Sequence, residues 1–230
     1  MYQNIFLDIK KMKMHIWDDQ KGHLEVPFRK YAYVKHSNGQ HVSLYGDRLK
    51  KVTTFDKDDP TLHESDVPPT TRFLVDNYGD SDEMSVGHRI MFFDIEVEVT
   101  DGFPDVQKAQ NVITSIALYD CITEKYFTYC FDPEKRIKSY TKDDEVVEFY
   151  DTEYEMLNKF FQKYLEIRPT IVSGWNSEFF DIPYLYNRAV RVLGPEVANL
   201  LSPISQVLYS EYKKKHTIAG VSSLDYLQLY

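Results

Sequence analysis

Cysteine is scarce in this chain, with only Cys121 and Cys130 among 230 residues. Such a low content excludes a disulfide-rich secreted scaffold. We expect both to be buried, reduced thiols rather than a disulfide or a metal site. Long hydrophobic runs are also missing, since no stretch approaches the roughly 20 apolar residues that a membrane span requires.

Positive charge is in short supply as well, because 27 Lys and Arg face 36 Asp and Glu, for a formal net charge of −9. This balance argues against binding nucleic acid by bulk attraction, although a local basic and aromatic groove stays possible. The first residues, Met-Tyr-Gln-Asn, lack the pattern of a signal peptide. We therefore expect a cytoplasmic protein with no membrane partner.

Apolar residues are plentiful, at 43% of the chain with 15% aromatic, which allows one large domain or two smaller ones. Alternating apolar residues and turn signals predict short strands at 4–9, 13–17, 31–35 and 42–45. Asn38-Gly39 predicts a hairpin turn. A polar, proline-bearing segment at 56–71 is typical of a linker. We predict a strand-rich N-terminal domain at 1–87 and a second domain at 88–230.

The second domain has an α/β (α+β) pattern. Strands are predicted at 89–99, 112–119, 126–131 and 170–175, and helices at 152–167 and 183–193. Thr152 and Glu155 form a capping box at the start of the first helix. Residues 206–211 and 216–221 predict a hairpin. The order of elements indicates a mixed sheet flanked by helices.

An acidic pair, Asp94 and Glu96, interrupts a strongly apolar, β-prone segment. Because side chains alternate along a strand, both carboxylates project from one face. Two neighbouring carboxylates repel each other unless a cation lies between them, and Mg²⁺ prefers such oxygen ligands. The alternative is that the pair marks the solvated face of an edge strand.

A third acid, Asp181, lies in the loop between a predicted strand and a helix that Pro183 opens. Ligands of open α/β sheets gather at the carboxyl ends of strands, so Asp181 is a candidate to join Asp94 and Glu96. It is also well placed to be a helix N-cap. Lys213, Lys214 and Lys215, at the tip of the predicted hairpin, are either a solvated turn or a DNA contact.

Two motifs resemble the first two exonuclease motifs of family B DNA polymerases, with the closer similarity to replicative enzymes of T-even-like bacteriophages. They are Phe-Asp94-Ile-Glu96 and Gly174-Trp175-Asn176 followed by Asp181-Ile182-Pro183-Tyr184. Further similar segments are Asp101-Gly102-Phe103-Pro104, Tyr184-x-Tyr186-Asn187-Arg188, Leu201-Ser202-Pro203 and Ser223-Leu224-Asp225-Tyr226. The resemblance is specific over residues 88–230 and loose over residues 1–87.

The resemblance implies a ribonuclease-H-like exonuclease domain that holds two Mg²⁺ or Mn²⁺ ions through four acids, three of them Asp94, Glu96 and Asp181. The fourth acid belongs to a downstream Tyr-x-x-x-Asp motif. Tyr78 to Asp82 and Tyr140 to Asp144 have that spacing but precede Asp181. We therefore interpret the chain as the N-terminal part of a polymerase: an expressed fragment, a truncated reading frame or one piece of a split enzyme.

The implied reaction is proofreading, the 3′→5′ hydrolysis of a phosphodiester at the primer terminus. Phe103 is the candidate to stack on the terminal base, Asn176 to contact its sugar–phosphate, and Lys213 to Lys215 to contact DNA. The implied partners are primer–template and single-stranded DNA, RNA at the N-terminal domain, the remaining polymerase domains or a complementary chain, and a sliding clamp bound by the missing C-terminal part. The implied location is the host cytoplasm if the source is a virus.

Two other functions are alternatives to a proofreading exonuclease. A non-catalytic nucleic-acid-binding fragment, or a separate subunit of a split polymerase, would use Phe28, Tyr31 and nearby basic residues, and its DNA affinity would not respond to Mg²⁺. A free-standing nuclease of the same superfamily would carry a final His-x₄-Asp motif. No histidine here is followed by an aspartate five residues later.

Overall fold

The computed structural model describes residues 1–100 and 102–229, so that Asp101, in the segment similar to the phage enzymes, and Tyr230 lie outside the described residues. The chain divides into two compact units, Met1–Val86 and Gly87–Tyr230. Within the described ranges, no helix combines the length and the apolar character needed to cross a membrane.

The first unit contains two small antiparallel sheets and one helix. Its elements are β1 (Tyr2–Asp8), β2 (Lys13–Asp18), β3 (Gly22–Pro27), β4 (Ala32–Lys35), β5 (His41–Val42), β6 (Arg48–Val52), β7 (Leu62–His63) and α1 (Pro69–Tyr78). The strands pair in the orders β1-β2-β3 and β5-β6-β4-β7. Met14, Ile16 and Phe28 form the centre of its apolar core. The prediction of a strand-rich N-terminal region is confirmed.

Three local predictions for this unit were wrong. Of the strand predicted at 42–45 only Val42 belongs to a strand, β5, and the Gly46 N–H donates to Ser43 O in a turn. Asn38-Gly39 does turn the chain from β4 to β5, but those strands pair with β6 rather than with each other. The segment predicted to be a linker ends in α1, which begins at Pro69. Proline at the first helical position needs no hydrogen-bond partner for its nitrogen, and Phe73 supplies an apolar contact to the core.

The second unit is built on a mixed sheet of seven strands in the order β11-β12-β10-β9-β8-β13-β16, with β14 and β15 forming a separate hairpin. Its strands are β8 (Ile90–Val97), β9 (Ile113–Asp120), β10 (Lys125–Phe131), β11 (Tyr140–Lys142), β12 (Glu145–Tyr150), β13 (Ile171–Gly174), β14 (Val207–Ser210), β15 (Lys215–Ile218) and β16 (Ser222–Asp225). Its helices are α2 (Glu153–Ile167), α3 (Asp181–Val192) and α4 (Pro195–Ala198), followed by two short 3₁₀ turns.

Helix α2 packs its apolar stripe against the sheet. Thr152 is its N-cap, and its Oγ1 accepts a hydrogen bond from the backbone N–H of Glu155 at 3.2 Å. Buried residues of the stripe are Met156, Leu157, Phe160, Phe161 and Tyr164. Together with the mixed sheet, this packing confirms the predicted α/β class with helices against a large mixed sheet.

The thiols differ from the expectation of full burial. Cys121 follows the last residue of β9 and Cys130 lies inside β10; both are free and only partly buried. The antiparallel register pairs Lys125 with Asp120 and Cys130 with Ser115. Cys121 is therefore at the turn between the strands while Cys130 lies well along the second strand.

Candidate active site

The acidic pair lies on an interior strand. Strand β8 runs between β9 and β13, so the alternative of an edge strand was wrong. The alternation predicted from the sequence is present, because Phe93 and Ile95 are 5% and 4% exposed while Asp94 and Glu96 are exposed on the opposite face. Along Asp94–Glu96 the strand is paired with β9, since its register with β13 covers only Ile90–Phe92, and on the other side the Ile95 N–H donates to Asp181.

Asp181 belongs to the same site. It is the first residue of α3, whose N-cap is Phe180, so Asp181 is not the N-cap. Its side chain instead accepts a hydrogen bond at Oδ1 from the backbone N–H of Ile95, at 3.0 Å. Ile95 lies between Asp94 and Glu96 in the sequence. The acid of the second motif is therefore held against the strand of the first.

Burial and charge make Asp181 an unusual carboxyl group. Only 2% of the residue is exposed. Desolvation raises the pKa of Asp181 to about 7, and the negative charges of Asp94 and Asp225 act in the same direction, while the Ile95 N–H opposes them. Partial desolvation also raises the pKa of Asp94, although that side chain keeps contact with solvent.

The loop that delivers Asp181 depends on a close backbone approach. Strand β13 runs parallel to β8, with Ser173 opposite Phe92. A Cβ atom on Gly174 would lie 2.6 Å from the carbonyl oxygen of Phe93. Only glycine fits there without a backbone shift. Asn176 then adopts a left-handed conformation, with φ of 58°, and reverses the chain toward α3.

An aromatic row borders the acids. Phe103 is 80% exposed, and its ring centroid lies 5.2 Å from that of Phe180. Phe180 in turn lies 5.6 Å from Tyr184, which is fully buried. An exposed ring with a supporting ring beneath it can offer a stacking surface to a base.

The three lysines of the hairpin have different surroundings. Lys213 and Lys214 are exposed, and Lys214 pairs with Glu211 at 3.1 Å. Lys215 is the first residue of β15, and its Nζ donates to Glu178 at 2.7 Å. The structure thus sets Lys215 apart from the two residues before it.

Asp225 and Glu178 were not predicted from the sequence to belong to the site. Asp225 ends β16, pairs in register with Gly174 and is 5% exposed. Its Oδ2 accepts a hydrogen bond from the backbone N–H of Glu178 at 3.1 Å. An acid at the carboxyl end of a strand next to β13 was the available signal, but the short strand β16 was not predicted.

The donor set suits a divalent cation in its chemistry. None of Asp94, Glu96 and Asp181 forms an ion pair with a lysine, arginine or histidine of the described residues. Uncompensated carboxylates around a buried acid favour a cation among them. Over residues 1–100 and 102–229, however, no three His, Cys, Asp or Glu side chains form a group that could hold a metal ion.

Neither Tyr-x-x-x-Asp segment has the expected place after Asp181 in the sequence. Tyr140 begins β11, at the edge of the large sheet, and Asp144 lies in the turn that follows. Three strands, β12, β10 and β9, separate β11 from β8.

Comparison with known proteins identifies the family of the chain. The family model described as "DNA polymerase family B, exonuclease domain" matches residues 78–230. The chain is 32% identical over 171 residues to a DNA-directed DNA polymerase of Escherichia phage RB69, covering 62% of this chain and 19% of that protein. It is 33% identical over 163 residues to the enzyme of Enterobacteria phage T4, covering 59% of this chain and 18% of that protein.

DNA polymerase 1 of Saccharolobus solfataricus is 32% identical over 145 residues, which cover 57% of this chain and 16% of that protein. The chain thus spans less than a fifth of the length of these relatives. Since the family model covers about two thirds of its residues, the chain belongs to the family B DNA polymerases and carries sequence of their exonuclease domain.

Proposed function

We propose that this chain provides the proofreading 3′→5′ exonuclease of a replicative family B DNA polymerase, acting on single-stranded DNA and frayed primer ends. The observation that carries the proposal is the hydrogen bond from the Ile95 N–H to Asp181 Oδ1, which joins the acids of two exonuclease-like motifs at one strand. The family match over residues 78–230 supports the reaction class.

Asp94, Glu96 and Asp181 would hold Mg²⁺ or Mn²⁺, in a site for two ions that a further acid would complete. Bound divalent ions supply Lewis-acid chemistry, which makes water a nucleophile and stabilises the leaving oxyanion. Among the described residues no cationic side chain pairs with these acids, and this supports the assignment.

The chain's own residues prepare the site. The Ile95 N–H fixes one oxygen of Asp181 and leaves the other available as a ligand. With a pKa of about 7, the Asp181 carboxyl holds a proton in part of the molecules at neutral pH. A cation that binds there must displace this proton, so binding strengthens as the pH rises.

The DNA-binding residues follow from exposure. Phe103, supported by Phe180, would stack on the terminal base without reading sequence. Asn176 would contact the sugar–phosphate next to Asp181, and Lys213 and Lys214 would contact the backbone phosphates. An unpaired end costs less free energy to unstack than a paired one, which gives the selectivity for mismatches.

The decisive experiment replaces both acids of β8 in the intact natural polypeptide. Asp94→Ala combined with Glu96→Ala should abolish Mg²⁺-dependent digestion of single-stranded DNA while circular dichroism shows an unchanged fold. Glu98→Ala is the matched control, because Glu98 continues the same acidic series just beyond β8. Undiminished digestion by the double variant would refute the proposal.

A second candidate function, nucleic-acid binding by the first unit, rests on one cavity. This cavity of about 390 Å³ is lined by basic and aromatic side chains, among them Lys30, Lys57, Arg72 and Phe55. We propose that it contacts RNA or template DNA. Binding that is independent of Mg²⁺ and weakened by Lys30→Ala would support it. We also propose that the partners of this chain include the other domains of a whole polymerase and a sliding clamp.

A further inference from the structure

Glu178 links three segments of the second unit. The residue is 8% exposed, and its Oε2 accepts hydrogen bonds from Lys215 Nζ and from Gln228 Nε2, both at 2.7 Å. Its backbone N–H donates to Asp225 Oδ2 at 3.1 Å. One residue therefore joins the loop before α3 to the base of the β14–β15 hairpin and to the end of the described chain.

This link lies three residues before Asp181 in the sequence. Within the loop from Trp175 to Phe180, the N–H groups of Phe179 and Phe180 donate to Asn176 O and close the turn. The side chain of Glu178 ties this loop to the hairpin through Lys215. Asp225 anchors the backbone at the same residue.

The ion pair is suited to fix a position. The Glu178 side chain is 9% exposed and that of Lys215 is 28% exposed, so neither group keeps its full hydration. Removing one partner from such a pair leaves the other charge buried and unpaired, and the loop must then move to hydrate it. A displacement of about 1 Å at a catalytic group can cost about 10²-fold in rate.

We propose that Glu178 and Lys215 are positioning residues, which couple the base of the hairpin to the location of the Asp181 carboxylate. The proposal rests on the proposed exonuclease function and refines it. It assigns Lys215 to the site's framework, in contrast to Lys213 and Lys214, whose side chains are exposed. Neither Glu178 nor Lys215 touches the substrate in this scheme.

The kinetic test is a double-mutant cycle in the intact natural polypeptide, with single-stranded DNA and Mg²⁺. Glu178→Gln and Lys215→Met should each lower kcat by about tenfold with little change in KM, and the double variant should be no worse than either. Lys215→Arg should retain activity, since arginine can also pair with Glu178. The matched control is Glu211→Gln with Lys214→Met, the same kind of pair exposed on the same hairpin.

A second readout does not depend on activity. The chain contains two tryptophans, and Trp175 lies in the loop itself. In the 230-residue chain carrying Trp17→Phe, Glu178→Gln should shift the emission of Trp175 and increase its quenching by acrylamide. Lys214→Met should leave both unchanged, and thermal unfolding of the same samples checks that each variant is folded.

The outcomes separate the two proposals. A polypeptide that digests DNA normally after Glu178→Gln, with unaltered Trp175 emission, overturns the positioning role and leaves the exonuclease assignment standing. A rise in KM confined to Lys215→Met, with Glu178→Gln silent, means direct DNA contact and also overturns it. If the unmodified polypeptide digests no DNA, both proposals fail in their catalytic part.

Discussion

The backbone N–H of Ile95 and the Oδ1 atom of Asp181 lie 3.0 Å apart, although 86 positions separate the two residues in the chain. This hydrogen bond brings the two motifs together in one site. It also fixes the position of the start of α3, because the first residue of the helix is bonded to the sheet. The bond also holds the Asp181 carboxyl group in a buried position, where it has no cationic partner among the described residues.

We expect the replacement Asp181→Asn to stabilise the chain above neutral pH in the absence of metal. A folded-state pKa raised to about 7 means that the unfolded chain binds fewer protons than the folded one between about pH 4 and pH 7. The wild-type free energy of unfolding therefore falls as the pH rises through this window. The penalty that the variant removes should be roughly 2–4 kcal/mol at pH 8.

Urea denaturation at several pH values measures this difference. At pH 4 the two proteins should differ by less than about 1 kcal/mol, because Asp181 is then protonated in the folded chain and about half protonated in the unfolded chain. Asp76→Asn is a control, since this carboxylate belongs to the first unit and accepts a hydrogen bond from an exposed tyrosine. Equal stability of wild type and Asp181→Asn at pH 8 would contradict the raised pKa.

Divalent metal should stabilise the folded chain. Mn²⁺ in excess over its dissociation constant raises the free energy of unfolding by mass action, roughly 2.7 kcal/mol at a hundredfold excess. We expect a rise in Tm at pH 8 that is lost at pH 5, where Asp181 is protonated, and in the Asp94→Asn variant at either pH. An identical Tm rise in Asp94→Asn would place the metal elsewhere.

Removing the exposed ring at Phe103 should weaken DNA binding without harming the fold. Stacking of a base on an aromatic side chain contributes about 1–3 kcal/mol. Phe103→Ala should therefore raise KM for single-stranded DNA by about tenfold, measured in the intact polypeptide. Tyr154→Ala, which removes an exposed ring from α2, should leave KM unchanged. A lower kcat with an unaltered KM would assign Phe103 a different role.

A buried ion pair outside the site should control stability. Arg188 on α3 donates from Nε and Nη2 to Glu153 at 2.8 and 2.5 Å, and its Nη1 donates to the carbonyls of Ala109 and Gln110. Arg188→Met leaves the carboxylate buried and unpaired, so the free energy of unfolding should fall by about 3–5 kcal/mol. Lys214→Met, which breaks an exposed pair, should cost less than about 0.5 kcal/mol.

The contrast between these two pairs can be checked by chemical denaturation of the chain. The double variant Glu153→Gln with Arg188→Met should recover part of the lost stability, because it removes the unpaired charge. A small effect of Arg188→Met alone would mean that Glu153 stays hydrated when its partner is gone.

The local sequence was sufficient for the elements that carry the first motif. Alternation of apolar and acidic residues in β8, the capping box at Thr152 and the stripe along α2 are all short-range patterns. Each depends on spacings of two, three or four residues, so the order of the side chains along the chain is enough to predict it. The strands whose apolar residues form a contiguous run were therefore predicted within a few residues.

Tertiary structure decided which of these elements meet. No local pattern distinguishes Lys215, paired with Glu178, from Lys214, and none reveals that Asp225 ends a strand beside β13. The short strands β5, β7 and β16 exist because a neighbouring strand supplies their hydrogen bonds, as β6 does for β5. The raised pKa of Asp181 likewise comes from burial among residues distant in the chain. The spacing of the acids in the sequence identified them as candidates for the site. Long-range packing determined their surroundings, because desolvation and pairing depend on contacts that only the folded chain makes.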